Sequence, residues 1–377
     1  MLQRVASPVV AVLLALFITT SFVGPEATPR PKPTPDFAPW IDTSDRDEVI
    51  AAFRAAFDRE APPMNWTGEA GQCDPGDSSD ALRRETLIRI AYYRAMAGVP
   101  ATVIEDPLMS DKAQAAALMM SVEGELTHHP DSDYACFSAA GQEAAANSNL
   151  YLGRTGPLAI DGYIEDPGDR NVDVGHRSTI LHPPTEVMGI GHVSGTLDRY
   201  PANALWVFDR GVFELEYETR EPAGFVAWPP RGHVPAEVVY PRWSFGLQRA
   251  SFERATVTMT GPDGLEVPLE IVARLSKDGE IPSSVIVWEP KLEFGEPEGD
   301  QIFTVTVADV GPPEDRLSSQ VVGIGDTGRL SVPAEKSTYT YQVVVVDQSE
   351  ESGPVRDLLS FVSTTTGELL GVMSLGG

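Results

Sequence analysis

The apolar residues of this chain change their spacing at Trp228-Pro229-Pro230, and no single layer of structure serves both sides of that point. Before it they recur every three or four positions, the period of a helix packed on one face. Val49, Phe53 and Phe57 repeat at four-residue spacing behind Ser44, a capping residue, and Pro62-Pro63 stops them. Residues 82–98 predict a second helix, with Leu87, Ile90, Ala91 and Arg94 on one face and Gly98 ending it. Pro107 opens a third, striped by Met109, Ala113, Ala116 and Met120, and such a stripe is packing. Residues 141–152 (GQEAAANSNLYL) read as a short helix and 159–166 as a further turn or two with Tyr163 inward. Strands are expected at 186–193 (EVMGIGHV) and 203–209 (NALWVFD). Helices closed by antiparallel strands make an α+β domain, ending near Gly224.

Beyond the two prolines the period falls to two. Alternating or β-branched runs at 238–240, 255–260, 265–273, 284–288, 302–307 and 338–346 are separated by turn signals such as Pro262-Asp263-Gly264 and Lys277-Asp278-Gly279. About six or seven short strands over about 120 residues fit an immunoglobulin-like sandwich. No motif there carries chemistry, and the acidic patch at 289–300 reads as a solvated loop. The organisation expected is a signal peptide or anchor (1–24), a Pro-rich linker (25–43), an α+β domain (44–224), an immunoglobulin-like β-sandwich (225–348) and a tail (349–377).

Charge and cysteine usage narrow the class of partner. Lys and Arg number 28 against 55 Asp and Glu, a net charge of −27. Such a surface repels phosphate backbones and anionic headgroups, so no nucleic acid is expected, and no membrane except through the N-terminus. There Arg4 precedes an apolar run at 9–23 (VVAVLLALFITTSFV), the layout of a secretory signal. The run falls short of the roughly 20 residues of a membrane span. Cleaved near Ser21 or retained as an anchor, it places the bulk of the chain outside the cytoplasm, secreted or at the cell surface. Export favours a disulfide between the two cysteines, Cys73 and Cys136, with two buried thiols as the alternative.

Five of the six histidines (His128, His129, His176, His182 and His192) fall within 127–192, together with Glu143, Glu165, Asp166 and the run GHRSTIL that starts at Gly175. Imidazole titrates near neutral pH and ligates borderline metals, so the crowding marks a site. A GxSxG elbow, an HExxH helix and a P-loop are absent. The two cysteines stand far apart with no histidine arranged to activate either. What remains is His128, Glu143, Glu165 or Asp166, and His176. Two imidazoles supply half a tetrahedral zinc shell, with the carboxylates accepting from the other ring nitrogens. The bland alternative is a set of hydrogen-bonded polar residues organising loops. His129, His182 and His192 read as surface or packing residues.

With these pieces in order, residues 85–209 resemble the CAP superfamily (cysteine-rich secretory proteins, antigen 5, pathogenesis-related 1) in its bacterial SCP-like form. Residues 90–98 (IAYYRAMAG) look like the family's first-helix motif, with Ala91 where Asn is usual. Leu126-Thr127-His128 resembles its first histidine motif, and Gly141-Gln142-Glu143 a relaxed form of its Gly-Glu-Asn segment. Gly175-His176-Arg177, running on to Ile180-Leu181 and Val187-Met188-Gly189-Ile190-Gly191, is similar to the second histidine motif. Residues 47–346 also resemble a bacterial subfamily that adds a sandwich domain. The resemblance implies an α-β-α sandwich with a cleft lined by two histidines, here His128 and His176, and two acidic residues, the first being Glu143. The second falls near Tyr163, where the family usually has Trp, which leaves Glu165 or Asp166; the insertion at 167–174 is a further departure. Zinc at the two histidines is linked to some members, sterol or lipid binding to others, and proteolysis has been proposed for a few. No general activity follows from the fold.

The function expected is therefore binding of an extracellular small molecule, lipid-like ligand or cell-wall component at a His/Glu cleft, with zinc held by His128 and His176 as a cofactor option and no catalytic residue assigned. A zinc-dependent hydrolase using Glu143 as base, and a non-catalytic scaffold or adhesion module, are the alternatives.

Overall fold

Asp45, one residue beyond the expected cap, starts the first helix: its carboxylate accepts from the N–H groups of Asp47 and Glu48. Ser44 instead donates its hydroxyl to Asp42. Helix α1 (Arg46–Phe57) buries Val49, Ile50, Phe53 and Ala56 and ends before Pro62-Pro63 is reached. Helix α2 (Asp80–Met96) begins on Ser79, which caps Leu82 N–H, and 13 of its 17 residues are buried, so it runs through the interior rather than along a surface. Helix α3 (Pro107–Glu123) has Asp106 as cap, proline at its first position and Gly124 in the left-handed region at its end. Each end thus satisfies backbone groups that a helix leaves unpaired. The computed structural model describes residues 40–208, 224–248, 250–275, 283–292, 299–311 and 337–348. The apolar run at 9–23, most of the Pro-rich stretch, Asp209, the Lys277-Asp278-Gly279 turn and the tail at 349–377 lie outside them. Among the described residues no helix is long and apolar enough to cross a membrane.

The expected helix at 141–152 is two elements. Helix α4 (Ala139–Asn147), capped by Ser138, gives way to an edge strand, β2 (Ser148–Leu152). The strand pairs antiparallel with β4 (Ala202–Trp206), which pairs in turn with β3 (Val187–Val193). A short β1 (Ile104–Glu105), which the pattern did not suggest, adds parallel to β3, giving the order β1-β3-β4-β2. Ser148 to Leu152 is held by its ladder to β4, and a non-local ladder overrides weak helical propensity. Helices α5 (Pro157–Glu165) and α6 (Gly175–Ile180) complete this part.

Side chains of one sheet face (Met188, Ile190, Leu205) join a core with α2 and α5, while Val193, Ala202, Ala204 and Trp206 join α3 and α4 on the other. The result is three layers, helices on both faces of a mixed sheet. Close approach of α3 needs the glycines of β3: a Cβ on Gly191 would lie 2.3 Å from the Ala113 carbonyl carbon, and one on Gly189 2.5 Å from Met109. Cys73 and Cys136 form a disulfide, with a sequence separation of 63. It joins the loop before α2 to the loop before α4.

The second part has eight strands among the described residues. Strands β5 (Phe225–Trp228), β7 (Trp243–Gln248), β10 (Ser283–Pro290) and β9 (Leu269–Leu275) form one sheet in that order. Strands β6 (Gly232–Pro235), β12 (Ser337–Val346), β11 (Gln301–Val310) and β8 (Thr256–Thr260) form the other, with β6 parallel to β12. Their inner faces meet through aromatic rings, among them Trp243 with Phe303 at 5.9 Å and Phe225 with Tyr341 at 5.4 Å. The expected strand at 238–240 is instead a single 3-10 turn (Ala236–Val238). Val238 is buried, and its carbonyl accepts from the Trp228 indole. The acidic patch is anchored at both ends, Glu289 to Arg242 and Asp300 to Arg46, rather than wholly solvated. The two parts share a core. Tyr93 of α2 meets Trp228 edge-on at 5.2 Å and bonds Tyr240 hydroxyl to hydroxyl at 2.8 Å.

Candidate functional site

Helix α5 ends on a residue that L-amino acids adopt reluctantly. Asp166 has φ 55° and ψ 53°, left-handed, and its N–H closes on the Gly162 carbonyl. Asp tolerates this region better than most residues because its short side chain bonds locally. Here the carboxylate, fully buried, accepts from the His176 N–H at 3.0 Å, the Arg177 N–H at 3.3 Å and His176 Nδ1 at 2.7 Å. A carboxylate only accepts, so Nδ1 of His176 carries a proton, and in the neutral ring Nε2 bears the lone pair. The ring is 24% exposed and lies against Tyr163, with centroids 5.5 Å apart.

Tyr163 is itself fixed: its hydroxyl donates to Asn203 Oδ1 at 2.7 Å. Asn149, at the start of β2, holds the neighbouring backbone by donating to the His176 carbonyl at 3.1 Å and accepting from Thr179 Oγ1. Sequence reasoning passed over Asn149. Its only signal was a polar side chain in what proves to be a buried strand position.

His128 is exposed, and its Nδ1 lies 2.8 Å from the Ala145 carbonyl in α4. A carbonyl cannot donate, so this ring too carries a proton on Nδ1, and in its neutral form Nε2 is open as an acceptor. Neither Nε2 has a partner among the described residues. The anchors of the two histidines, Ala145 and Asn149, are four residues apart, so their Cα atoms are separated by at most about 14 Å. The ring of His128 and the backbone of His176 thus both bond to one short segment at the α4–β2 junction, while the His176 ring is held by Asp166.

The acidic candidates divide. Asp166 bonds His176. Glu165, beside it, points to Arg154 at 3.9 Å instead. Burial pushes the Glu165 carboxyl up from its ordinary value, with Arg154 working against that shift. Glu143 is exposed and paired with Lys112 at 2.7 Å, with no bond to either histidine. The remaining histidines serve packing or surface: His129 is exposed, while His182 and His192 are buried.

The fit of zinc is decided by counting ligands. Among the described residues no group of three or more His, Cys, Asp and Glu is placed to hold a metal ion. Two imidazoles fall short of the three protein ligands of a catalytic zinc and the four of a structural one. The present donor set does not fit a tightly held zinc. What it does present, when both rings are neutral, is two oriented lone pairs that accept hydrogen bonds from a donor.

No curated protein matches the chain. Residues 87–209, which run from within α2 past the end of β4 and include His128 and His176, match the model of the family described as CAP, the cysteine-rich secretory protein family, so this segment is similar to a CAP domain.

Proposed function

We propose that this is an exported CAP-domain protein that binds a hydroxyl-bearing extracellular ligand, cell-wall-derived or lipid-like, at the cleft of His128 and His176. One observation carries the reading: both rings commit Nδ1–H to an oxygen, Asp166 for one and Ala145 for the other, leaving Nε2 as acceptor. A ring held this way discriminates for donors, since hydroxyls satisfy Nε2 and carboxylates or carbonyls do not. The net charge of −27 acts in the same sense, disfavouring anionic ligands. The disulfide fits an oxidising compartment, and the apolar run at 9–23 fits export.

A zinc hydrolase is less well supported, because the proposed base, Glu143, is held by Lys112 and the ligand count is low. For the second part we favour an immunoglobulin-like module. The order β5-β7-β10-β9 facing β6-β12-β11-β8 supports this, since it follows the ABED and CFG sheets of that fold.

The test is calorimetric titration of the full chain with soluble cell-wall glycan fragments and, separately, with neutral lipid vesicles. In whichever arm binds, His128→Ala and His176→Ala should each weaken affinity by about tenfold, one net hydrogen bond to an oriented acceptor. Glu143→Gln should alter affinity only slightly. Isotherms unchanged in both histidine variants would sink the cleft. Turnover abolished by Glu143→Gln would point to the hydrolase.

A further inference from the structure

Asp166 and His176 belong to a loop and two helix ends that rest on the second part of the chain. The last carbonyls of α5 have no partner within the helix. Arg177, fully buried on α6, donates Nε to the Ile164 carbonyl at 2.6 Å and Nη2 to the Glu165 carbonyl at 3.2 Å. Arg242, immediately before β7, donates Nη1 to the Asp166 carbonyl at 2.7 Å and to the Gly168 carbonyl at 2.9 Å. The exchange is reciprocal, for Arg177 Nη1 donates back to the Arg242 carbonyl and to Ser244 Oγ. Glu289 of β10 holds the Arg242 guanidinium from behind at 2.8 Å.

The other end of the loop is anchored by a different force. Val174, two residues before His176, has φ 48° and ψ 44°. That region is an outlier for a β-branched residue and persists only where its surroundings over-determine it. Here the surroundings are apolar: Val174 is completely buried against Val285 and Val287 of β10. A space of about 30 Å³ remains between α6 and the sheet, lined in part by Arg177, Leu181, Trp228 and Ser244. It holds about one or two waters, so it is a packing gap and no ligand pocket.

Both left-handed residues that bound the segment from Asp166 to Val174 are therefore held by β7 and β10. We infer that this sheet sets the orientation of the Asp166–His176 pair, with Arg242 as its positioning residue. The inference rests on the reading of His176 as a working imidazole of the cleft. Its chemistry is local. Without the bond from Arg242 to the Asp166 carbonyl, the C-terminal turn of α5 loses the contact that keeps Asp166 left-handed, and Oδ1 swings off Nδ1.

The tautomer of His176 reports this directly. In the full ¹⁵N-labelled chain, long-range proton–nitrogen correlation at alkaline pH should show His176, assigned with His176→Ala, protonated at Nδ1 alone. Arg242→Met should convert it to a mixture of the two tautomers, and Arg242→Lys, which keeps one donor, should recover the Nδ1–H form. Val285→Ala, acting through Val174, should move it the same way and decides the matter if Arg242→Met does not fold. Tyr240→Phe, at the same junction but with its hydroxyl bonded to Tyr93 rather than to the loop, should leave the tautomer unchanged, which separates positioning from general loosening. A pure Nδ1–H signal retained in Arg242→Met, or in Val285→Ala where that variant decides, overturns the inference; so does a mixture in Tyr240→Phe. No ligand enters this measurement. Unchanged glycan and lipid isotherms would remove the cleft and leave the positioning intact, while an unmoved tautomer would do the reverse.

Discussion

Replacing His192 with glutamine should remove most of one proton's worth of acid sensitivity from this protein. His192 lies in β3, completely buried, with Nδ1 accepting from the Gly156 N–H at 3.3 Å and from Asn203 Nδ2 at 3.0 Å. Nε2 faces Thr86 Oγ1 at 3.2 Å, and that hydroxyl is committed to the Leu82 carbonyl. Two donors converge on Nδ1, so only the neutral ring fits. Burial, aided by the Arg83 guanidinium, pushes the imidazole down to about 3 from its ordinary 6.5. The folded value lies below the unfolded one, so between them the unfolded chain binds one more proton. Stability is then fully present above about pH 6.5 and falls by about 1.4 kcal/mol for each pH unit below it. Between about pH 7.5 and about pH 4.5 this single ring removes about 2.7 kcal/mol. Urea unfolding followed by tryptophan fluorescence at the two pH values measures it. His192→Gln should be less stable than wild type near neutrality, yet its loss on acidification should be smaller by about that amount. The carboxylates titrate in both proteins and cancel in the difference. Parallel losses in the two proteins would refute the assignment.

Other expectations follow from packing and covalent constraint. Reducing the Cys73–Cys136 disulfide, which closes 63 residues, should lower unfolding free energy by about 4 kcal/mol; equal urea midpoints with and without reductant would contradict it. Gly191→Ala drives a methyl into the α3 backbone and should cost about 1–3 kcal/mol in chemical denaturation. Gly141→Ala meets the movable thioether of Met119 first and should cost less. Arg94→Met leaves the carbonyls of Pro100, Ile180, His182 and Thr185 without the guanidinium that now binds them, and should cost at least about 3 kcal/mol. An Arg94→Met midpoint within error of wild type would show that water replaces the arginine freely.

Local signals were legible wherever one residue decides the local geometry. Pro107 opens α3 as its chemistry requires, and the Met109-to-Met120 stripe is packing. Ser44 read as the cap of α1, and the structure gives that place to its neighbour Asp45, whose carboxylate reaches the free N–H groups of Asp47 and Glu48. Residues 148–152 could not be read as a strand, because the ladder that makes them one comes from Ala202–Trp206, some fifty positions on. The run at 238–240 looked like a strand for its β-branched residues, but the indole of Trp228 claims its carbonyl. Within the site, the choice between Glu165 and Asp166 was open because adjacent residues differ only in the direction the backbone turns them. The left-handed turn at the end of α5 sends Asp166 to His176 and leaves Glu165 with Arg154.

The sequence by itself carried the change of apolar period near Trp228-Pro229-Pro230, the mixed and all-β characters of the residues before and after it, the cysteine pair and the two histidine motifs of the CAP segment. These depend on periodicity, proline and glycine geometry, and residue type, all of which act over a few neighbours. Tertiary structure alone decided which ring nitrogens are open, which carboxylate orients His176, and that Arg177 and Arg242 bind the backbone behind it. Those outcomes depend on hydrogen bonds between residues dozens of positions apart. In such bonds the partner is chosen by the packing of three sheets and six helices, and no local pattern encodes it.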